Sequence, residues 1–276
     1  MNILKNYDVL LLDLWGVIYD GYDLYPNVIQ TLHKLKELGK EVILLSNAPR
    51  RRHTVQKMLR KFAIDNSLYS NLVTSGEFTH ELLAEKKQFG TKYFYLGSPE
   101  SEEIVLNLKG YQKVAYAKDA DFGIIASILG YYEEAMNLAM EAMKCKLPLL
   151  CPNPDKSSIK RDGEVMYCTG IIAEKYEALG GKVIHFGKPY KPIYEHVLRT
   201  IDDKKKVLAI GDSMGNDIKG ANNMNLDSVL VCSGIHRHDL KIEMGDMPST
   251  ENLLKLYKKY SVKPTFVISL LKDIIQ

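Results

Sequence analysis

Short unbroken apolar runs alternate with longer segments of helical period along this chain. The first run, at 9–12, enters Asp13 directly, with a bulky Trp15 and then Gly16 and Val17 behind it. A short apolar run without a helical period suits a strand buried on both faces, as in parallel sheets. Runs of the same kind lie at 41–47, 72–75, 92–96, 122–126, 147–151, 183–186, 207–210, 228–232 and 265–268. Helical spacing appears between them, at 27–38, after Pro49, at 76–87, 100–108, 133–144, 170–179, 192–200 and 250–260. Thr74-Ser75-Gly76-Glu77 has the spacing of a capping box. Asp162-Gly163 is a two-residue hairpin turn, and Met136, Met140 and Met143 mark a core-filling helix face. The alternation predicts a parallel α/β fold.

Ligands bind such sheets beyond the carboxyl ends of the strands. Four runs end in polar groups of different kinds: Asp13; Ser46 with Asn47; Lys188; and Asp212 with Asp217. Each has a structural reading as a turn residue or a solvated charge. Placed along one sheet edge, the four ends bring their groups together. Three neighbouring carboxylates repel unless a cation joins them, and Mg²⁺ is bound by carboxylates together with phosphate and water. Lys188 adds a positive charge, Ser46 a hydroxyl, and the turn at Gly16-Val17 backbone amides. That inventory suits a phosphate held opposite a metal, with a carboxylate placed to attack phosphorus.

Net charge and cysteines narrow the classes. Thirty-seven basic against 34 acidic residues leave +3, a balance that does not favour nucleic acid. The compact basic cluster, Arg50-Arg51-Arg52, reads as a solvated helix face, or as a field attracting anionic substrates. Four cysteines without zinc-site spacing read as reduced and mostly buried, so a cytoplasmic protein is expected. No signal peptide is read at the N-terminus, and no apolar run approaches the roughly 20 residues of a membrane span. His236-Arg237-His238-Asp239 reads as a solvated loop rather than a metal site. Dinucleotide and P-loop glycine patterns are absent.

Asp13-x-x-Gly16-Val17, Ser46-Asn47, Gly187-Lys188-Pro189 and Gly211-Asp212-x-x-x-x-Asp217 resemble the four motifs of the haloacid dehalogenase (HAD) superfamily. The long interval between Ser46 and Lys188 resembles subfamily IIA, the NagD-type and pyridoxal-phosphatase-like hydrolases. Val73-Thr74-Ser75, Cys151-Pro152-Asn153-Pro154-Asp155, Gly220-Ala221 and Ser233-Gly234-Ile235 fit the same group. The resemblance implies a Rossmann-like parallel-sheet core at 1–78 and 182–276, with an inserted α/β C2-type cap at 79–181 that selects the substrate.

It also implies a Mg²⁺-dependent phosphatase working through an aspartyl-phosphate. Asp13 would be nucleophile and metal ligand, the Trp15 carbonyl a second ligand, and Asp212 and Asp217 the others. Ser46, Asn47, Gly16 and Val17 would hold phosphate, and Lys188 would neutralise it and Asp13. Asn153 and Asp155, which follow a strand of that cap, read from their position as orienting the cap or touching substrate, or equally as a Pro-flanked turn. The implied partner is a small phosphorylated metabolite, with neither nucleic acid nor membrane, and a homodimer through the cap is an expectation of the resemblance.

One position departs from the family pattern. Most members carry a general acid/base Asp two residues after the nucleophile, and this chain has Trp15. Indole donates one hydrogen bond and does not titrate. General acid/base help is worth ~10²–10⁴-fold, so alkyl phosphates are expected to be cleaved slowly. Asp20 and Asp23 are the nearest replacements in sequence. The remaining readings are an activated substrate, a phospholigand-binding protein with low or no turnover, or a phosphotransferase.

Overall fold

The computed structural model describes residues 3–128, 130–159 and 164–276. In chain order its strands are β1 (Val9–Leu12), β2 (Glu41–Ser46), β3 (Asn71–Thr74), β4 (Lys92–Leu96), β5 (Gln112–Lys113), β6 (Phe122–Ile125), β7 (Leu149–Cys151), β8 (Ser157–Ile159), β9 (Val165–Tyr167), β10 (Val183–His185), β11 (Val207–Gly211), β12 (Asp227–Val231) and β13 (Phe266–Ile268). Six form one parallel sheet in the order β13-β12-β11-β1-β2-β3. Five form a second parallel sheet, β10-β7-β6-β4-β5. β8 and β9 pair antiparallel, and the Asp162-Gly163 turn lies outside the described residues.

β1 explains the architecture. All four of its residues are buried, and they alternate between two cores. Leu10 and Leu12 pack into the cluster of Leu32 and Leu35, from the helix Val28–Glu37. Val9 and Leu11 belong to a cluster with Phe78, Ile193 and Val197 that also takes Tyr93, Phe122 and Leu150 from the second sheet. The strand run therefore had to be apolar on both faces, and one core joins the two layers. The chain proceeds from β1 to β2 on one side and returns as β11 on the other. The crevice beyond β1 and β11 is thus the topological switch point, where α/β sheets bind ligands.

Several expectations need correction. The run at 183–186 was expected to extend the first sheet, but β10 pairs with β7 in the second. Its three residues are only half-buried, so their composition does not say which sheet they join. A division between residues 78 and 79 falls inside one continuous helix, Ser75–Glu85. The segment at 100–108 forms only a short 3-10 turn, Pro99–Ile104. In the helix Tyr132–Lys144 the fully buried face is Ala135, Ala139 and Ala142; Met136 and Met143 pack against that core as expected, and Met140 is exposed. Among the described residues, no helix is long and apolar enough to cross a membrane.

Candidate active site

Asp13 follows β1, and its N–H donates to the Ile210 carbonyl of β11 at 2.9 Å. That bond extends the ladder one residue past the strand and fixes the carboxylate at the switch point. Asp212 follows β11 in the same way, and the Ile235 N–H donates to its Oδ2 at 2.7 Å. A π-helical turn, Met214–Ile218, then presents Asp217. Its Oδ2 accepts from the Ser213 N–H at 3.0 Å, while Oδ1 faces Lys188. Ligand oxygens of Asp13, Asp212 and Asp217 lie within 4.8 Å of one another. Gly16 makes room for them: a Cβ there would stand 1.9 Å from Asp212 Oδ2, and its φ of +84 suits glycine.

Lys188 Nζ lies 2.7 Å from Asp13 and 2.6 Å from Asp217. Since β10 is in the other sheet, a shared strand edge does not put Lys188 there. Asn47 does. The Lys188 N–H donates to Asn47 Oδ1 at 2.7 Å, and Asn47 Nδ2 donates to the Lys188 carbonyl at 2.9 Å. Gly187 is the neighbour that permits this approach, because a Cβ there would meet Asn47 Oδ1 at 2.5 Å. The second Asn47 amide hydrogen goes to Asp155 Oδ1 at 2.6 Å. Asn216 Nδ2 donates to the same oxygen at 2.7 Å. Asn47 and Asp155 therefore brace three loops against one another. The sequence marked both as site residues, Asp155 as one that would orient the cap or touch substrate, but held no sign that Asn47 braces Lys188 and Asp155.

The electrostatics are those of a site short of positive charge. Burial, then Asp217, raise the Asp13 pKa, and Lys188 offsets only part of this. Asp212 is raised well above the usual carboxylate range by burial, then by Asp13 and Asp217. Burial works against the Lys188 charge, yet Asp13 and Asp217 hold its pKa above that of an ordinary lysine. Burial also lifts Asp155 to about 6 against hydrogen bonding from Asn47. Three buried carboxylates around a single ammonium fit a hard divalent cation with oxygen ligands. Asp13, Asp212 and Asp217 would hold Mg²⁺, with the Trp15 carbonyl as the expected fourth protein group.

A cavity of about 350 Å³ opens on this cluster, lined by Asp13, Trp15, Ser46, Asn153 and Asp155 among others. Ser46 is buried, and its Oγ accepts from the Ala48 N–H at 3.2 Å. Asn153 Oδ1 accepts from the Asp155 N–H at 3.0 Å, which holds the turn that carries Asp155. Gly16 and Val17 were expected to offer amides to phosphate. Instead Gly16 N–H donates to the Tyr19 carbonyl at 3.0 Å and Val17 N–H to that of Leu14 at 3.4 Å. The Val17 side chain is core. This turn satisfies its own backbone and serves to shape the loop.

The Trp15 ring packs edge-on to Tyr19, with centroids 5.3 Å apart. Asp20 is buried, but its Oδ1 accepts from the Tyr22 and Asp23 N–H groups, which makes it a turn carboxylate. It faces a separate small cavity with Trp15 and Asp212, and Asp23 is exposed. Neither lines the cavity that holds Asp13.

Two surface readings change. His236 is buried rather than solvated: its Nε2 accepts from the Met214 N–H at 3.0 Å, and Nδ1 lies 3.3 Å from Asp239. It braces the turn that carries Asp217. The three arginines are paired: Arg50 with Glu103 at 2.7 Å, Arg51 with Glu77 at 2.9 Å, and Arg52 with Glu81 at 3.1 Å. Their summed field is largely cancelled by these neighbours.

The two halves of this site carry a known signature. Residues 10–111 match a family of haloacid dehalogenase-like hydrolases, and residues 185–274 match a HAD-hydrolase-like family. A 4-nitrophenylphosphatase of Schizosaccharomyces pombe is 25% identical over 269 residues, covering 88% of this chain and 89% of that protein. A haloacid dehalogenase-like hydrolase from Brucella suis superposes with a TM-score of 0.79 at 26% identity, over 97% of both chains. A glycerol phosphate phosphatase of Mycobacterium tuberculosis, solved with magnesium, has the same fold. There the TM-score is 0.76 at 20% identity, over all of this chain and 79% of that one. The protein belongs to the haloacid dehalogenase superfamily, in its subfamily IIA.

Proposed function

We propose that this chain, a phosphoric monoester hydrolase of that superfamily, is a Mg²⁺-dependent phosphatase of a small phosphorylated metabolite acting through an aspartyl-phosphate. The reading rests on one observation: Asp13, Asp212, Asp217 and Lys188 converge at the switch point and open into one cavity. The magnesium-bound neighbour of the same fold supports the metal. A cation bound by the three carboxylates supplies the positive charge that they lack. Lys188 holds the Asp13 carboxylate ionised and oriented. Asp13 attacks phosphorus and the bond to the leaving oxygen breaks; water then cleaves the aspartyl-phosphate, returning the carboxylate and releasing phosphate. Ser46 lines the same cavity and would bind the phosphoryl oxygens.

The layer built on the second sheet, β4–β7 with β10, acts as the cap, inserted after the helix Ser75–Glu85 and running through β10 to His185, with Asp155 as its tie to the core. A homodimer through this layer and a reducing, cytoplasmic setting for the four free cysteines complete the reading. Trp15 favours esters with good leaving groups, and it also favours a second reading as a phospholigand-binding protein of low turnover. Phosphate release from an aryl phosphate with and without Mg²⁺ separates the two. Unchanged activity in Asp13→Asn would overturn the nucleophile assignment.

A further inference from the structure

Two cations stand among the described residues lining the 350 Å³ cavity, Lys188 and Arg50. Lys188 is bound to Asp13 and Asp217. Arg50 is differently placed. Its Nε donates to Glu103 Oε1 at 2.7 Å. Its four Nη hydrogens have no hydrogen-bond partner among the described residues, although a guanidinium offers five donors. Glu103 is itself held. The Arg51 N–H donates to its Oε1 at 3.0 Å, and the Thr54 hydroxyl to its Oε2 at 2.7 Å. Glu103 comes from the second layer and Arg50 from the loop after Ser46. The guanidinium is thus anchored on one edge by the opposite layer and left open on the other.

Ser101 and Ser127 from the same layer line the cavity with it. An open guanidinium edge matches two oxygens of a carboxylate or of a phosphate.

We propose that Arg50 is a specificity residue that binds a second anionic group of the substrate, with Glu103 as the positioning residue that presents it. The substrate class is then a phosphomonoester carrying a further carboxylate or phosphate. The inference rests on the proposed phosphatase reading and deepens it.

The test uses 3-carboxyphenyl phosphate and 3-carbamoylphenyl phosphate, which match in size and differ in charge. With wild type, kcat/KM for the carboxylate exceeds that for the amide by about tenfold to a hundredfold, the range of a hydrogen-bonded charge. The difference lies in KM. Arg50→Gln brings the ratio close to one, and Arg50→Lys keeps part of it. Glu103→Ala lowers the ratio, and Glu103→Gln, which retains an acceptor for Nε, restores much of it. Circular dichroism and thermal melting show that each variant is folded, and Arg50→Lys serves if Arg50→Gln is not. A wild-type ratio near one, or a ratio that survives Arg50→Gln, overturns the proposal. In either case continued Mg²⁺-dependent release from the amide leaves the phosphatase reading standing. No release from either compound would overturn that reading as well.

Discussion

Lys188 Nζ lies 2.7 Å from Asp13 Oδ1, with only 4% and 11% of the two side chains exposed. A buried ion pair broken from one side leaves the other charge uncompensated, at a cost of ~3–5 kcal/mol. Lys188→Met is expected to lose activity and to unfold at clearly lower denaturant. Added Mg²⁺ is expected to restore part of the stability but not the rate. Equal denaturation midpoints for wild type and variant would remove Lys188 from this role.

Asp212 shares a buried cluster with Asp13 and Asp217, so a bound cation stabilises the fold by mass action. At a hundred times Kd the gain is ~2.7 kcal/mol. Wild type is expected to melt several degrees higher with Mg²⁺ than with a chelator. Asp212→Asn removes one of three repelling charges. It should therefore melt no lower than wild type without metal, yet gain little from Mg²⁺. A full Mg²⁺ shift in this variant, read by calorimetry, would exclude Asp212 as a ligand.

Trp15 stands where a proton donor is expected and packs against Tyr19. Trp15→Asp is expected to raise turnover of alkyl phosphates more than of aryl phosphates, within the ~10²–10⁴-fold range of general acid catalysis. It also loses aromatic packing, at about 0.5–1.5 kcal/mol beyond the buried area. Steady-state rates on ethyl and 4-nitrophenyl phosphate decide the matter. Equal changes on both would mean that position 15 does not limit protonation.

Glu103 gives a pH signature. Burial pushes its pKa up, but Thr54, the Arg51 amide and Arg50 together hold it below the ordinary 4.5. Its proton is therefore bound more readily by the unfolded chain. The stabilisation is complete above the unfolded value and fades as pH falls through the lower folded one. Wild type should melt above Glu103→Gln at neutral pH, with the gap closing as pH falls below the ordinary 4.5 and through the lower folded value. A gap that persists in acid would mean that the carboxylate charge is not what holds the contact.

The positions of Asp13, Ser46 and Asp212 were legible because each ends a run buried on both faces, and such runs have one place in a parallel sheet. The place of Lys188 was legible only as a motif. Val183-Ile184-His185 carry no mark of the sheet that they join, and the amide that holds Lys188 lies 141 residues away. Arg50–Arg52 looked solvated because their partners Glu77, Glu81 and Glu103 are distant in sequence. His236 looked exposed because its partner is a backbone N–H, which no sequence pattern displays. Burial from apolar period can be read locally; pairing of polar groups across layers cannot.

The Asn47 side chain spends both of its amide hydrogens and its oxygen on segments 108 and 141 residues distant. The proposed cap layer and the loop of Ser46 and Asn47 are therefore not separable modules. A transplanted cap from a relative would dock on this core only if it carried a carboxylate where Asp155 stands. Exchange of specificity within such a scaffold is constrained at this carboxylate and the two amides that hold it, so Asp155 should change together with Asn47 and Asn216 or not at all.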